Sequence, residues 1–142
     1  MASKYSWREY INMARRRMFS LDIVDTDKFL ETPLTAQCLY FHMGMRADDD
    51  GFVCNPNRIM RMVGFSKDDM KLLIAKGFII PFESGVCVVT HWKQHNYIQS
   101  DRYTPTRCIA EKALLGIDDG KEYVQISATQ NLSRLDTECI HR

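Results

Sequence analysis

Between residues 55 and 92 the run NPNRIMRMVGFSKDDMKLLIAKGFIIPFESGVCVVTHW changes its apolar period from helical to alternating. Ile59, Met60 and Val63 share one side of a helix, while Asn57, Arg58 and Arg61 face away from it. Asn55 suits the N-cap and Pro56 the first turn, where a missing N–H costs nothing, and Gly64 ends the helix. Ser66, with Asp69 three residues on, resembles a capping box and opens a second helix whose apolar face is Met70, Leu73 and Ile74. Gly77 closes it as a left-handed C′ residue. Residues 78–82 and 86–92 are rich in β-branched and aromatic side chains, and Glu83-Ser84-Gly85 between them suits a three-residue hairpin loop. The pattern predicts helix, tight turn, helix and β-wing.

The flanking chain is read in the same way. Thr32-Pro33 repeats the cap-and-proline device, and Leu34, Cys38, Phe41 and Met45 recur at helical spacing, predicting a helix over 33–46 with that stripe buried. Residues 18–27 read as an extended lead-in. Ala47-Asp48-Asp49-Asp50-Gly51 is an acidic loop, followed by a short strand, Phe52-Val53, placed to pair with the wing. Residues 93–105 alternate polar and aromatic side chains without a helical or strand period and are expected to wrap back over the domain. A further helix is expected over 106–115, with Ile109, Ala113 and Leu114 on one side and Gly116 at its end. Beyond Asp118 the chain is polar, with a short strand at 123–126 and otherwise a mobile tail. The fold class expected is mainly α with a small β-wing (α+β): a winged helix-turn-helix over 18–116 with a C-terminal helical extension, a basic N-terminal arm over 1–17, and a polar, flexible tail over 117–142.

Charge sharpens this division. The chain has 142 residues, 45% hydrophobic and 26% charged, with a formal net charge of +1. Residues 1–17 carry Lys4, Arg8, Arg15, Arg16 and Arg17 against Glu9, so the basic character sits in the arm. Tyr5, Trp7 and Tyr10 beside these cations suit a phosphate backbone or exposed bases. Five cysteines without a C-x-x-C pair argue for a reducing cytoplasm rather than a disulfide framework, with Cys38 and Cys87 as small core residues. No apolar run approaches the ~18 residues that span a bilayer, so no membrane partner is expected.

Candidate chemistry is sparse. Cys87, His91 and His95 are spaced by four, but on a strand the first two would stand ~13 Å apart and a fourth ligand is lacking. Asp48-Asp49-Asp50 lacks the alternating spacing and distal Glu of a calcium loop and reads as an acidic turn. Without a nucleophile elbow, a phosphate-cradling loop or a zinc-protease motif, no enzyme activity, metal or cofactor is expected. Nucleic-acid binding is the better-supported class. In a winged helix the second helix of the turn motif enters the major groove. The candidates for DNA contact are Arg15, Arg16, Arg17, Arg58, Arg61, Ser66, Lys67 and Lys71, with Arg102, Tyr103 and Arg107 as a second set. Asp68 and Asp69 suit a helix N-terminus but repel phosphate there. Self-association through the same helices, or sequence-specific transcriptional regulation, are the alternatives.

Several runs resemble a known family: RRRMFS at 15–20, DTDKFL at 25–30, LYFH at 39–42, MRADDDGFV at 45–53, LLIAKGFIIPF at 72–82, HWK at 91–93, HNYI at 95–98 and DRY at 101–103. Together they are similar to the N-terminal domain of phage and prophage replisome-organiser proteins, relatives of DnaD-like primosome proteins. The resemblance covers roughly residues 15–115. It implies a winged-helix module of a replication-initiation protein in the bacterial host cytoplasm. Such a module would bind origin-like duplex DNA, meet host helicase-loading proteins and form a homo-oligomer. Family members generally carry a further C-terminal region, so activities housed there are not expected of these 142 residues.

Overall fold

A computed structural model describes residues 14–126, so the arm before residue 14 and the tail beyond 126 lie outside the described residues. Two single-turn helices come first, α1 (Leu21–Val24) and α2 (Asp27–Leu30), where an extended lead-in was expected. Their cause is local. Ser20 accepts a hydrogen bond from the Asp22 N–H and Thr26 one from the Phe29 N–H, and the second cap follows the first too closely for α1 to lengthen. Helix α3 (Leu34–Met45) follows, then β1 (Phe52–Val53), α4 (Pro56–Val63), α5 (Lys67–Ala75), β2 (Ile79–Pro81) and β3 (Cys87–Val89). The chain continues through α6 (Trp92–His95), α7 (Ile109–Lys112), β4 (Leu115–Ile117) and β5 (Tyr123–Gln125). The class is mixed α+β, with two small antiparallel sheets.

The turn between α4 and α5 and the hairpin after α5 follow their local signals. Ser66 Oγ accepts from the Asp69 N–H, and the Gly77 N–H and Phe78 N–H donate to the carbonyls of Ile74 and Leu73. That pair of bonds is the Schellman closure, and Gly77 supplies it with φ +80°. Asn55 precedes α4 but makes no side-chain cap, so Pro56 alone marks that start. β2 and β3 pair with Ile80 opposite Val88, and β1 adds to the other side of β3 with Phe52 also opposite Val88. β3 is therefore central, and Cys87, Val88 and Val89 are all buried. It ends at Val89, earlier than the expected 92, because His91 turns the chain into α6.

The core corrects one expectation about α3. Its buried residues are Ala36, Leu39, Tyr40, Met43 and Gly44, whereas Leu34 is 81% exposed, Met45 and Cys38 are exposed, and Phe41 is half-buried. The helix is apolar nearly all round, so helical spacing offers two faces and does not choose between them. The side with small residues was taken: a Cβ built on Gly44 would stand 2.6 Å from the Phe19 ring, which closes over the helix there. Thr32 also departs from expectation, since its hydroxyl donates back to the Phe29 carbonyl rather than capping α3. α3 packs on α4 and α5, and α5 on β2. Phe29, Tyr40, Phe78 and Trp92 fill the space between helices and sheet.

The C-terminal part differs more. Helix α7 is one turn rather than a helix to 115, and Leu115 and Gly116 belong instead to β4, pairing with Gln125 and Val124 of β5. Ile109 and Leu114, expected on a packed face, are exposed; the buried residues are Cys108, Leu115 and Tyr123. Residues 118–126 form a hairpin rather than part of a flexible tail. The strand expected near 123 is present.

Gly51 joins the acidic loop to β1 at φ +89°, and a Cβ there would lie 2.4 Å from Trp92 Cγ. Gly51→Ala combines left-handed strain with a clash against a buried indole. It should lower unfolding free energy by about 3 kcal/mol, read as the midpoint of urea denaturation followed by tryptophan fluorescence.

Candidate functional site

Three consecutive aspartates at the end of α3 do not form a solvated turn. Asp48 Oδ1 accepts from the N–H groups of Asp50 and Phe52, and Asp48 Oδ2 accepts from the Thr106 hydroxyl at 2.5 Å. Asp49 Oδ1 accepts from Arg17 Nη2 at 3.0 Å and Asp49 Oδ2 from the Thr104 N–H at 2.9 Å. Asp50 is 0% exposed. It accepts from the Tyr103 hydroxyl, the Thr106 N–H and Lys112 Nζ at 2.7–3.2 Å. Their carbonyls are used too, Asp49 O by the Trp92 indole N–H and Asp50 O by the Tyr123 hydroxyl. Every carboxylate oxygen of the three thus has a donor from this chain, and the cluster ties residues 17, 92, 103–112 and 123 to one loop.

The electrostatics follow from this geometry. Burial pushes the Asp50 carboxyl up, but the hydrogen bonds from Tyr103, Thr106 and Lys112 outweigh it and hold the group below its ordinary value. Burial pulls Lys112 down, but Tyr103 and Asp50 outweigh it and hold the ammonium above its own ordinary value. Asp48 lies on the other side of the balance: burial, helped by the neighbouring Asp50 charge, outweighs the opposing hydrogen bonds from Thr106, Phe52 and Asp50 and leaves it raised. Such a cluster holds charge in place and orders backbone. Among the described residues no group of three or more His, Cys, Asp or Glu side chains is arranged to hold a metal ion.

This cluster decides where several expected DNA contacts stand. Arg17 was grouped with Arg15 and Arg16, but its side chain is only 4% exposed, donates to Asp49 and the Ala47 carbonyl, and lies with its guanidinium 5.2 Å from the Trp92 ring centroid. Contact with a phosphate would first require breaking that pairing, so Arg17 is a structural residue. Tyr103 is likewise removed from the binding set, because its hydroxyl donates to Asp50 and accepts from Lys112. Arg15, Arg16, Arg102 and Arg107 are exposed on connecting segments. Arg58 and Arg61 share the exposed side of α4, Lys67 and Lys71 that of α5, with Ser66 spent on the α5 cap. Asp68 is exposed beside the lysines, but Asp69 is turned away, accepting from the Ser66 and Thr35 hydroxyls.

A second polar group, at the start of α1, went unread in the sequence. The Asn96 side chain accepts from the Met18 N–H and donates to the Met18 carbonyl, while the Ser20 N–H donates to His95 Nδ1 at 2.8 Å. A backbone N–H can only donate, so Nδ1 carries no proton and Nε2–H donates to Tyr40 Oη at 2.5 Å. The His95 ring is thus fixed as one neutral tautomer, and burial, with His91 nearby, pulls it down to about 4. His91 is also lowered by burial, against the pull of Glu122 at 3.0 Å. The sequence signal was the polar content of HNYIQSDRYTPTR and RADDDG, which carry few aliphatic residues in a chain otherwise rich in them.

No family model, curated protein or solved structure matches this chain. No helix among the described residues is long and apolar enough to cross a membrane.

Replacing Asp50 by Ala leaves the Thr106 N–H and the Tyr103 hydroxyl without their acceptor and should cost about 3 kcal/mol, against about 1 kcal/mol for Tyr103→Phe. Amide exchange at Thr104 and Thr106 should accelerate in the first variant more than in the second. His95 gives a pH signature whose sign follows from its depressed native value. The folded protein binds this proton less readily than the unfolded chain, whose histidine titrates near ~6.5. Its contribution is therefore complete above pH ~6.5 and is lost as pH falls towards 4, amounting to about 3 kcal/mol. Denaturation midpoints at pH 7 and 4.5 should separate in the native protein and draw together in His95→Gln, which keeps a donor and an acceptor but does not titrate.

Proposed function

We propose that this chain is a DNA-binding winged-helix module of a phage-type replication initiation protein, a replisome organiser. It would bind origin-like duplex through the α4–turn–α5 surface. The observation that carries the reading is the outward placement of Arg58 and Arg61 on α4 and of Lys67 and Lys71 on α5. Those helices precede a β-hairpin in the order a winged helix requires. The engagement of Asp69 by Ser66 and Thr35 supports the reading further, since it leaves Asp68 as the carboxylate beside the lysines at the start of α5. Arg15 and Arg16 are two further exposed cations, on the segment before α1. Bond-making chemistry is not part of the proposal; its partners are DNA, host helicase-loading proteins and other copies of the chain.

A second reading, an oligomerisation module of the primosome, is favoured by the exposed line of Leu34, Cys38 and Met45 on α3. It commits to a second copy of this chain as the occupant of that face.

If four phosphates are neutralised, log affinity for duplex DNA should fall against log salt with a slope near ~−3.6, and Arg58→Ala with Arg61→Ala should shrink it by about 2. Mobility shifts on origin and random duplexes across a salt series measure this. Absence of duplex binding at low ionic strength would remove the DNA reading. Light scattering on the same samples that finds a monomer at every concentration would remove the second.

A further inference from the structure

Cys54 immediately follows β1, and Cys108 is the N-cap residue of α7, 54 positions later. Their Sγ atoms are 3.5 Å apart, in hydrogen-bonding contact. We propose that Cys54 and Cys108 form a reversible disulfide on exposure to a hydroperoxide, a covalent clasp between the sheet and the segment that leads into α7. This inference stands apart from the DNA-binding reading.

Three features of the site carry it. The sulfurs need to approach by only about 1.5 Å to reach bonding distance. Both residues lie in connecting segments rather than inside helices or strands, where backbone can yield by that amount without breaking a ladder. Cys54 is half-buried rather than sealed, so a molecule as small as a peroxide has a route to the pair. The hydrogen bond between the two sulfurs, against the opposing effect of burial and with help from the Thr106 hydroxyl, also holds the Cys108 thiol below its ordinary value. That raises the share of thiolate, the reactive form. Cys87, which is paired with Val53 across the sheet, is pushed by burial up to about 12 and stays a protonated bystander.

The chemistry balances with hydrogen peroxide as oxidant. The Cys108 thiolate attacks one peroxide oxygen, the O–O bond breaks, and the departing oxygen leaves as water after taking up a proton, giving a sulfenic acid. Cys54 sulfur then attacks the sulfenic sulfur. The S–S bond forms as the S–O bond breaks, and the expelled hydroxide leaves as water with the Cys54 proton. Two electrons pass from the sulfur pair to the peroxide, and a dithiol reductant reverses the step by exchange.

The test is peptide mapping of the full chain under non-reducing conditions after treatment with hydrogen peroxide. The expected result is a crosslinked pair of peptides carrying Cys54 and Cys108, lighter by two hydrogens than their sum and lost on adding dithiothreitol. The midpoint of denaturation should rise on oxidation and fall back on reduction, and Cys54→Ser should abolish both changes. Should that variant fail to fold, the peptide map of the native chain still decides. Full alkylation of both Cys54 and Cys108 after a treatment that oxidises the exposed Cys38 would overturn the proposal. So would a crosslink that appears only once the protein has been unfolded.

Discussion

A fully buried carboxylate is the constraint on which the outer part of this structure depends. An ionised side chain taken from water without partners costs many kcal/mol, and the interior tolerates it only when its lone pairs are satisfied. Asp50 meets that condition by drawing in Tyr103, the Thr106 backbone and Lys112. None of these is near it in sequence, so the long polar segment after α6 cannot settle anywhere else without stranding the charge. Asp48 and Asp49 extend the same demand to Thr104, to the Thr106 hydroxyl and to Arg17. The apolar layers built on α3, α5 and β3 fix the centre of the domain, and the acidic loop fixes what covers its edge.

The N-terminal strap is held by a different kind of contact. Phe19 stacks edge-on against Phe41 and His95 and closes over Gly44, while Met18 and Ser20 give their backbone groups to Asn96 and His95. Arg17, at the start of this strap, joins it to the acidic loop. The two anchoring systems therefore meet at one guanidinium lying against Trp92, which itself donates to Asp49. Arg61 on α4 and Lys67 and Lys71 on α5 are exposed and take no part in the bonds that hold either system.

What the sequence made legible, and what it did not, divides by the range of the cause. The Ser66 cap, the Gly77 closure and the loop at Gly85 depend on residues within a few positions, and they stand where the pattern put them. The buried face of α3 is not legible because Leu34, Cys38 and Met45 are as apolar as Leu39, Tyr40 and Met43, and distant partners separate the two sides, Phe19 against Gly44 and Phe29 and Phe78 against Tyr40. Arg17 looks the same as Arg15 and Arg16 in sequence; what sets it apart is an aspartate 32 residues on. Leu115 lies in a strand because β5 returns alongside, with Gln125 opposite Leu115 and Tyr123 opposite Ile117 reaching the Asp50 carbonyl, a contact that no helical period encodes. The exposure of Arg58, Arg61, Lys67 and Lys71, by contrast, follows from the local period of α4 and α5, which sets the side of a short helix that faces out.

The pairing of β2 with β3 leaves one margin of the three-stranded sheet open. The bonds between the strands run through Phe78, Phe82 and their partners Thr90 and Val86, so by alternation Ile79 and Pro81 turn their backbone groups to the outer margin. Proline has no amide hydrogen to offer an incoming strand, and the margin is only three residues long. Templated growth of the sheet from chain to chain, the usual route from an open ribbon to a fibril, is thereby denied at this side.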